Sequence, residues 1–152
     1  VQELFDAAGK YFRKVMKNRT EKVELIIEPM EAKVIGDVNQ LRFLFENLID
    51  EALAVREEGV IRLQARKDNE YIRFLFTDTR REKSVTELNQ LFYPNLARMT
   101  SGEKGELRGT EYLICKQIIR DHDEFAGRRG CRINAEPAEG GGFTVYFTIP
   151  RR

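Results

Sequence analysis

The chain has one histidine, two cysteines and four prolines, and almost no net charge: +1, from 26 basic and 25 acidic residues in 152. The single His122 excludes a multi-histidine metal site within the chain. Cys115 and Cys131 are too few and too far apart for a disulfide framework or a zinc knuckle, and so fit a reducing compartment. The charge balance provides no global basic field, so no nucleic-acid partner is expected. No run approaches the roughly 20 apolar residues of a membrane span. A hydrophobic content of 41% argues against disorder, and the length predicts one domain, 1–152, with a real core. The start at Val1, without an initiator methionine, reads as a fragment of a larger protein, so a missing signal peptide says nothing about the parent.

What is present is periodic. Leu4, Phe5, Ala8, Phe12, Val15 and Met16 recur at helical spacing and predict an amphipathic helix fading into Lys17-Asn18-Arg19. Val23 to Ile27 and Ala32 to Ile35, separated by Glu28-Pro29-Met30-Glu31, predict two short strands. Asp37 is placed to cap a long helix whose stripe runs through Leu41, Leu44, Phe45, Leu48, Ile49, Ala52 and Leu53. Val60 to Lys67 and Tyr71 to Thr77 alternate around Asp68-Asn69-Glu70, the pattern of an antiparallel hairpin. Ser84 with Glu87 forms a capping-box signature for a short helix stopped before Pro94. Residues 95–109 lack periodicity and predict a loop, followed by a helix over 110–121. Cys131 to Ala135, a Pro137 to Gly142 turn and the alternating Phe143, Val145, Phe147, Ile149 close the chain as two strands. The expected class is α+β, in two layers.

Five segments taken in order resemble one family, the ATP-binding domain of sensor histidine kinases in the GHKL ATPase superfamily. Gly36 to Leu53, with Glu46-Asn47-Leu48-Ile49-Asp50-Glu51-Ala52, is similar to the helix carrying the asparagine box. Phe74-Leu75-Phe76-Thr77-Asp78 looks like the strand ending in the adenine-recognising aspartate, and Leu88 to Phe92 resembles the phenylalanine box. Gly109-Thr110-Glu111 through His122 resembles the end of the glycine-rich lid and its following helix. Gly140-Gly141-Gly142-Phe143 to Pro150 is similar to the last strand. The resemblance implies a two-layer α/β sandwich, a mixed sheet covered by helices on one face. It also implies that the helix over 1–19 continues from an upstream dimerisation region.

The departures bear on function. The family presents two asparagines one turn apart toward magnesium; here the first is Asn47 but the second is Glu51, a carboxylate that can ligate Mg²⁺ yet is longer and adds negative charge beside a polyphosphate, weakening the site without excluding it. The Asp-x-Gly-x-Gly box reads Asp78-Thr79-Arg80-Arg81-Glu82, so side chains should reshape or fill the floor of the adenine pocket. At the lid Gly109 survives, but Glu111 stands where a glycine would leave bare N–H groups for phosphate. Bland readings stand beside these. Asp78 can be a turn residue, Asn47 a solvated helix position, His122 a structural helix-end residue and Cys115 a small core residue. Arg80, Arg81, Arg98, Lys104 and Arg108 can be a solvated loop face.

The resemblance therefore implies the catalytic domain of a two-component sensor kinase with degenerate nucleotide boxes, a pseudokinase or a regulatory and docking module. The alternative is an active domain phosphorylating a histidine on a separate dimerisation helix. In that case Asp78 would recognise adenine and Asn47 with Glu51 would hold Mg²⁺. Lys104 or Arg108 would pair with the phosphates of ATP, Gly105 and Gly109 would let the lid close, and Thr110 would join the nucleotide-binding residues. The implied partners are the upstream phosphoacceptor region and a response regulator or other signalling protein. The implied location is cytoplasmic, on a membrane-anchored parent. The segment 123–130, read as an inserted loop, offers Phe125, Arg128 and Arg129 as a partner surface.

Overall fold

The computed structural model describes residues 1–92, 100–101, 107–108, 111–126 and 132–152, with the backbone alone at 100–101, 107–108, 111 and 125–126. Its elements are α1 (Gln2–Met16), β1 (Val23–Ile27), α2 (Val38–Leu53), β2 (Gly59–Asp68), β3 (Tyr71–Asp78) and α3 (Val85–Gln90), then β4 (Thr100–Ser101), β5 (Leu107–Arg108), α4 (Glu111–Ala126), β6 (Ile133–Pro137) and β7 (Phe143–Pro150). Five strands form one mixed sheet in the order β1-β2-β3-β7-β6. Only the β1–β2 pair is parallel, because α2 carries the chain from the end of β1 back to the start of β2.

Strand parity decides which side chains meet the helices. Leu63, Phe76 and Val145 lie in one cross-strand row, and Ala65, Phe74 and Phe147 in the next, all buried. Phe5 of α1 and Phe45 of α2 descend onto these rows. The Phe5, Phe45 and Phe74 rings meet edge to face at 5.7–6.2 Å between centroids, and Phe74 stacks on Phe147 at 5.0 Å. Edge-to-face and offset rings stabilise beyond the apolar area they bury, so this aromatic cluster ties the helix layer to the sheet. The same parity continues one step to Asp78, opposite Ile61 and Phe143, and turns its carboxylate toward the helix layer.

Local signals set most boundaries. Asp37 accepts hydrogen bonds from the Asn39 and Gln40 amides at 2.9 and 3.1 Å, capping α2. Ser84 and Glu87 form the reciprocal capping box of α3. Asn69, at φ 54°, takes the left-handed position in the β2–β3 turn.

Three expectations are corrected. Ala32 to Ile35 is not a strand: Val34 makes one isolated bridge to Arg151, since Gly36 and Asp37 turn the chain into α2 before a ladder can grow. The segment read as a loop over 95–109 contains the two-residue ribbon β4–β5. Helix α4 runs on to Ala126, so Phe125 lies in its last turn and not in a loop; nothing from Asp121 to Ala126 breaks a helix, and the first glycine is Gly127.

Candidate functional site

The site is built where β3 ends beneath the C-terminus of α2. A helix C-terminus leaves carbonyl oxygens without intrahelical partners, and α2 has no basic residue in its own last turn to meet them. Two arginines from elsewhere do so. Arg19 donates from Nη1 to the Leu53 carbonyl at 2.6 Å, while its other side pairs with Glu21. Arg80 donates from Nη2 to the Ala52 carbonyl at 2.5 Å and from Nη1 to the carbonyls of Glu57 and Val55 at 3.0 and 3.4 Å.

Arg80 also closes on Asp78. Its Nε and Nη2 donate to Oδ1 and Oδ2, each at 2.9 Å, a bidentate fork, and its backbone N–H reaches Oδ1 at 3.0 Å. A guanidinium has five N–H donors, and these contacts engage all five. The Arg80 side chain is 0% exposed and that of Asp78 5%. Two buried charges are tolerated only when paired and fully hydrogen-bonded, and here each condition is met.

Two glycines make room for the pair. A Cβ on Gly59, at φ 145°, would come within 2.6 Å of the Arg80 Cγ, so the stem of the arginine occupies the space a side chain would fill. A Cβ on Gly142, at φ 83°, would fall 2.1 Å from the Asp78 carbonyl oxygen, so β7 can approach the end of β3 only with glycine there.

The other site residues are placed as follows. Asn47 and Glu51 lie one turn apart on α2; Asn47 is buried, not solvated, and its Nδ2 donates to the Phe43 carbonyl at 2.8 Å. Glu51 is half-buried. Arg108 lies in β5, whereas Lys104, Gly105, Gly109, Thr110, Arg128 and Arg129 fall outside the described residues. Arg80 is not part of a solvated loop face, while Arg81 and Glu82 are exposed. Cys115 is buried with its sulfur 3.7 Å from the Leu44 carbonyl, as expected of a core residue. Among the described residues no cluster of His, Cys, Asp and Glu could hold a metal ion, and no helix is long and apolar enough to cross a membrane.

His122 has a second role that its position on α4 did not reveal. Its Nε2 accepts the Asp37 amide at 3.0 Å and its Nδ1 lies 2.8 Å from the Ile118 carbonyl, an arrangement that requires the neutral ring with the proton on Nδ1. The ring thus joins α4 to the cap of α2. A Cβ on Gly36 would press on that ring at 2.9 Å.

A five-stranded mixed sheet, an aspartate ending its central strand and a capped helix lying over that aspartate define an architecture that known proteins share. The model of the histidine kinase-, DNA gyrase B- and HSP90-like ATPases matches residues 36–152. The chain belongs to this ATPase family. The chain is 26% identical over 151 residues to the signal transduction histidine-protein kinase BaeS of Escherichia coli, covering 97% of this chain but 30% of BaeS. The catalytic domain of histidine kinase ThkA superposes with a TM-score of 0.74 at 20% identity, covering 99% of this chain and 92% of that one. ThkA in complex with the response regulator TrrA gives a TM-score of 0.71 at 18% identity, covering 100% of this chain and 40% of that one. These likenesses share the mixed sheet with its helices, as the resemblance implied. In this chain both carboxylate oxygens of Asp78 are already taken by Arg80, whose guanidinium is held at all five donors.

Proposed function

We propose that this member of the ATPase family is the ATP-binding-like domain of a two-component sensor histidine kinase, shut at its nucleotide site and kept as a regulatory or docking module. One observation carries the reading: both carboxylate oxygens of Asp78 are engaged by the buried Arg80 side chain. The similarity to BaeS across nearly the whole chain supports the setting in a sensor kinase. In that setting the partners are the parent's own dimerisation and phosphoacceptor region and a response regulator, as in the complex of ThkA with TrrA. The parent is then membrane-anchored with this domain on the cytoplasmic side. Glu51, where the family offers an asparagine, adds negative charge beside a polyphosphate and so weakens a magnesium site on α2.

The reading is tested by titrating ATP with Mg²⁺ while following the thermal melt, because a ligand that binds only the folded state must raise its stability. The expected result is an unchanged melting temperature up to low-millimolar ATP. A saturable rise would overturn the shut site and favour the active kinase.

A further inference from the structure

The chamber around the Arg80 guanidinium has a lining of one chemical kind. Asp78 contributes a carboxylate, and Ala52, Val55 and Glu57 contribute main-chain carbonyls, all of them acceptors. It lies at the C-terminus of α2, where the helix dipole adds partial negative charge. Gly59 leaves space for the ligand's stem to enter. We propose that this chamber is a guanidinium-binding site filled by the chain's own Arg80, so that removing Arg80 uncovers a receptor for a planar, multi-donor cation and not a nucleotide pocket. The inference rests on the shut-site reading and adds the class of ligand the site accepts.

The discrimination follows from donor and acceptor counting. A guanidinium offers five or six donors in one plane and no acceptor, which matches a carboxylate and three carbonyls. An adenine offers one amino group and several ring nitrogens that only accept. Set into this chamber, those nitrogens would face carbonyl oxygens with no proton between them, and each unpaired buried acceptor weakens binding. A lysine in place of Arg80 would also serve poorly, since an ammonium is a compact point donor and cannot span the carboxylate and the carbonyls together.

The experiment compares the wild type, Arg80→Gly and the double variant Asp78→Asn/Arg80→Gly in thermal melts. Each is measured in sodium chloride and with guanidinium chloride, methylguanidinium or adenosine at matched ionic strength. About 10 mM guanidinium lies far below the roughly molar range in which it denatures. Arg80→Gly should melt below the wild type and regain stability with guanidinium or methylguanidinium, by a shift that saturates. Neither the wild type nor the double variant should respond, and adenosine should stabilise none of the three. A folded Arg80→Gly that ignores both cations, or that adenosine stabilises equally, overturns the proposal.

If Arg80→Gly does not fold, Arg80→Lys decides in urea. An unfolding constant raised at least about tenfold supports the five-donor requirement, and wild-type stability refutes it. The two readings fail separately. ATP binding by the wild type would overturn the shut site without touching the guanidinium result. Absence of cation rescue in a protein that still ignores ATP would overturn this inference alone.

Discussion

The two ends of α2 are held by different kinds of contact. At the N-terminus Asp37 caps the amides two and three residues ahead of it, and the Asp37 amide is received by His122. At the C-terminus the Ala54 and Val55 amides close the last turn but no basic side chain of that turn serves, and guanidiniums from Arg19 and Arg80, each more than 25 residues away, reach the Leu53 and Ala52 carbonyls. A local cap costs little to form, because its residues are already neighbours in the unfolded chain. The distant cap orders long side chains and buries charge, so it is stable only within a finished sheet. The difference also divides the functions. The N-terminal end is a general device for starting a helix, and the C-terminal end is where a buried arginine closes on Asp78.

The largest expected effect tests that division directly. Arg80→Met keeps the stem but leaves Asp78 buried without its partner, and should lower stability by about 3–5 kcal/mol in urea unfolding. The double change Asp78→Leu/Arg80→Met should recover part of the loss, because no charge then remains buried. A single variant within about 1 kcal/mol of wild type would mean that the pair does not hold the end of the helix. Next, Asp37→Ala should cost about 1 kcal/mol, the usual value of a helix N-cap. A loss as large as that at Arg80 would erase the contrast between the two ends.

The smallest effect concerns pH at the same C-terminal cap. The Glu21 carboxyl is held below its ordinary range by its own backbone hydrogen bond and then by Arg19 and Arg56. A carboxylate whose folded value is lowered stabilises the protein above its unfolded value near 4.5, and that stability is lost as pH falls through the lower folded value. Glu21→Gln should therefore flatten the acid limb of the stability curve without altering stability's slope near neutrality. An unchanged acid limb would show that Glu21 does not tie Arg19 to the helix end.

Much of this was legible in the residues. The stripe from Leu41 to Leu53, the Asp37 cap, the Ser84–Glu87 box and the alternation in Phe74, Phe76, Val145 and Phe147 depend on near neighbours, and each appears where its pattern places it. The expectation that Arg80 and Glu82 would reshape or fill a pocket floor came from two family glycine positions that hold other side chains; Glu82 is exposed and the Arg80 side chain buried. Its sibling reading, a solvated loop arginine, failed because exposure depends on what stands opposite, and Gly59, Ala52 and Glu57 stand opposite only once β2 and α2 are packed. Val34 misled for a similar reason: its apolar neighbours look like a strand, but the length of a ladder is set by the partner chain.

The sequence by itself determined most of the elements, their order and the placing of an aspartate at the end of a strand, because period, caps and parity act over a few residues. Only the tertiary structure decided what that aspartate faces. The geometry of a five-donor fork is fixed by atoms from α2, from residues 54–58 and from the end of β3 at once, and no local rule brings those together.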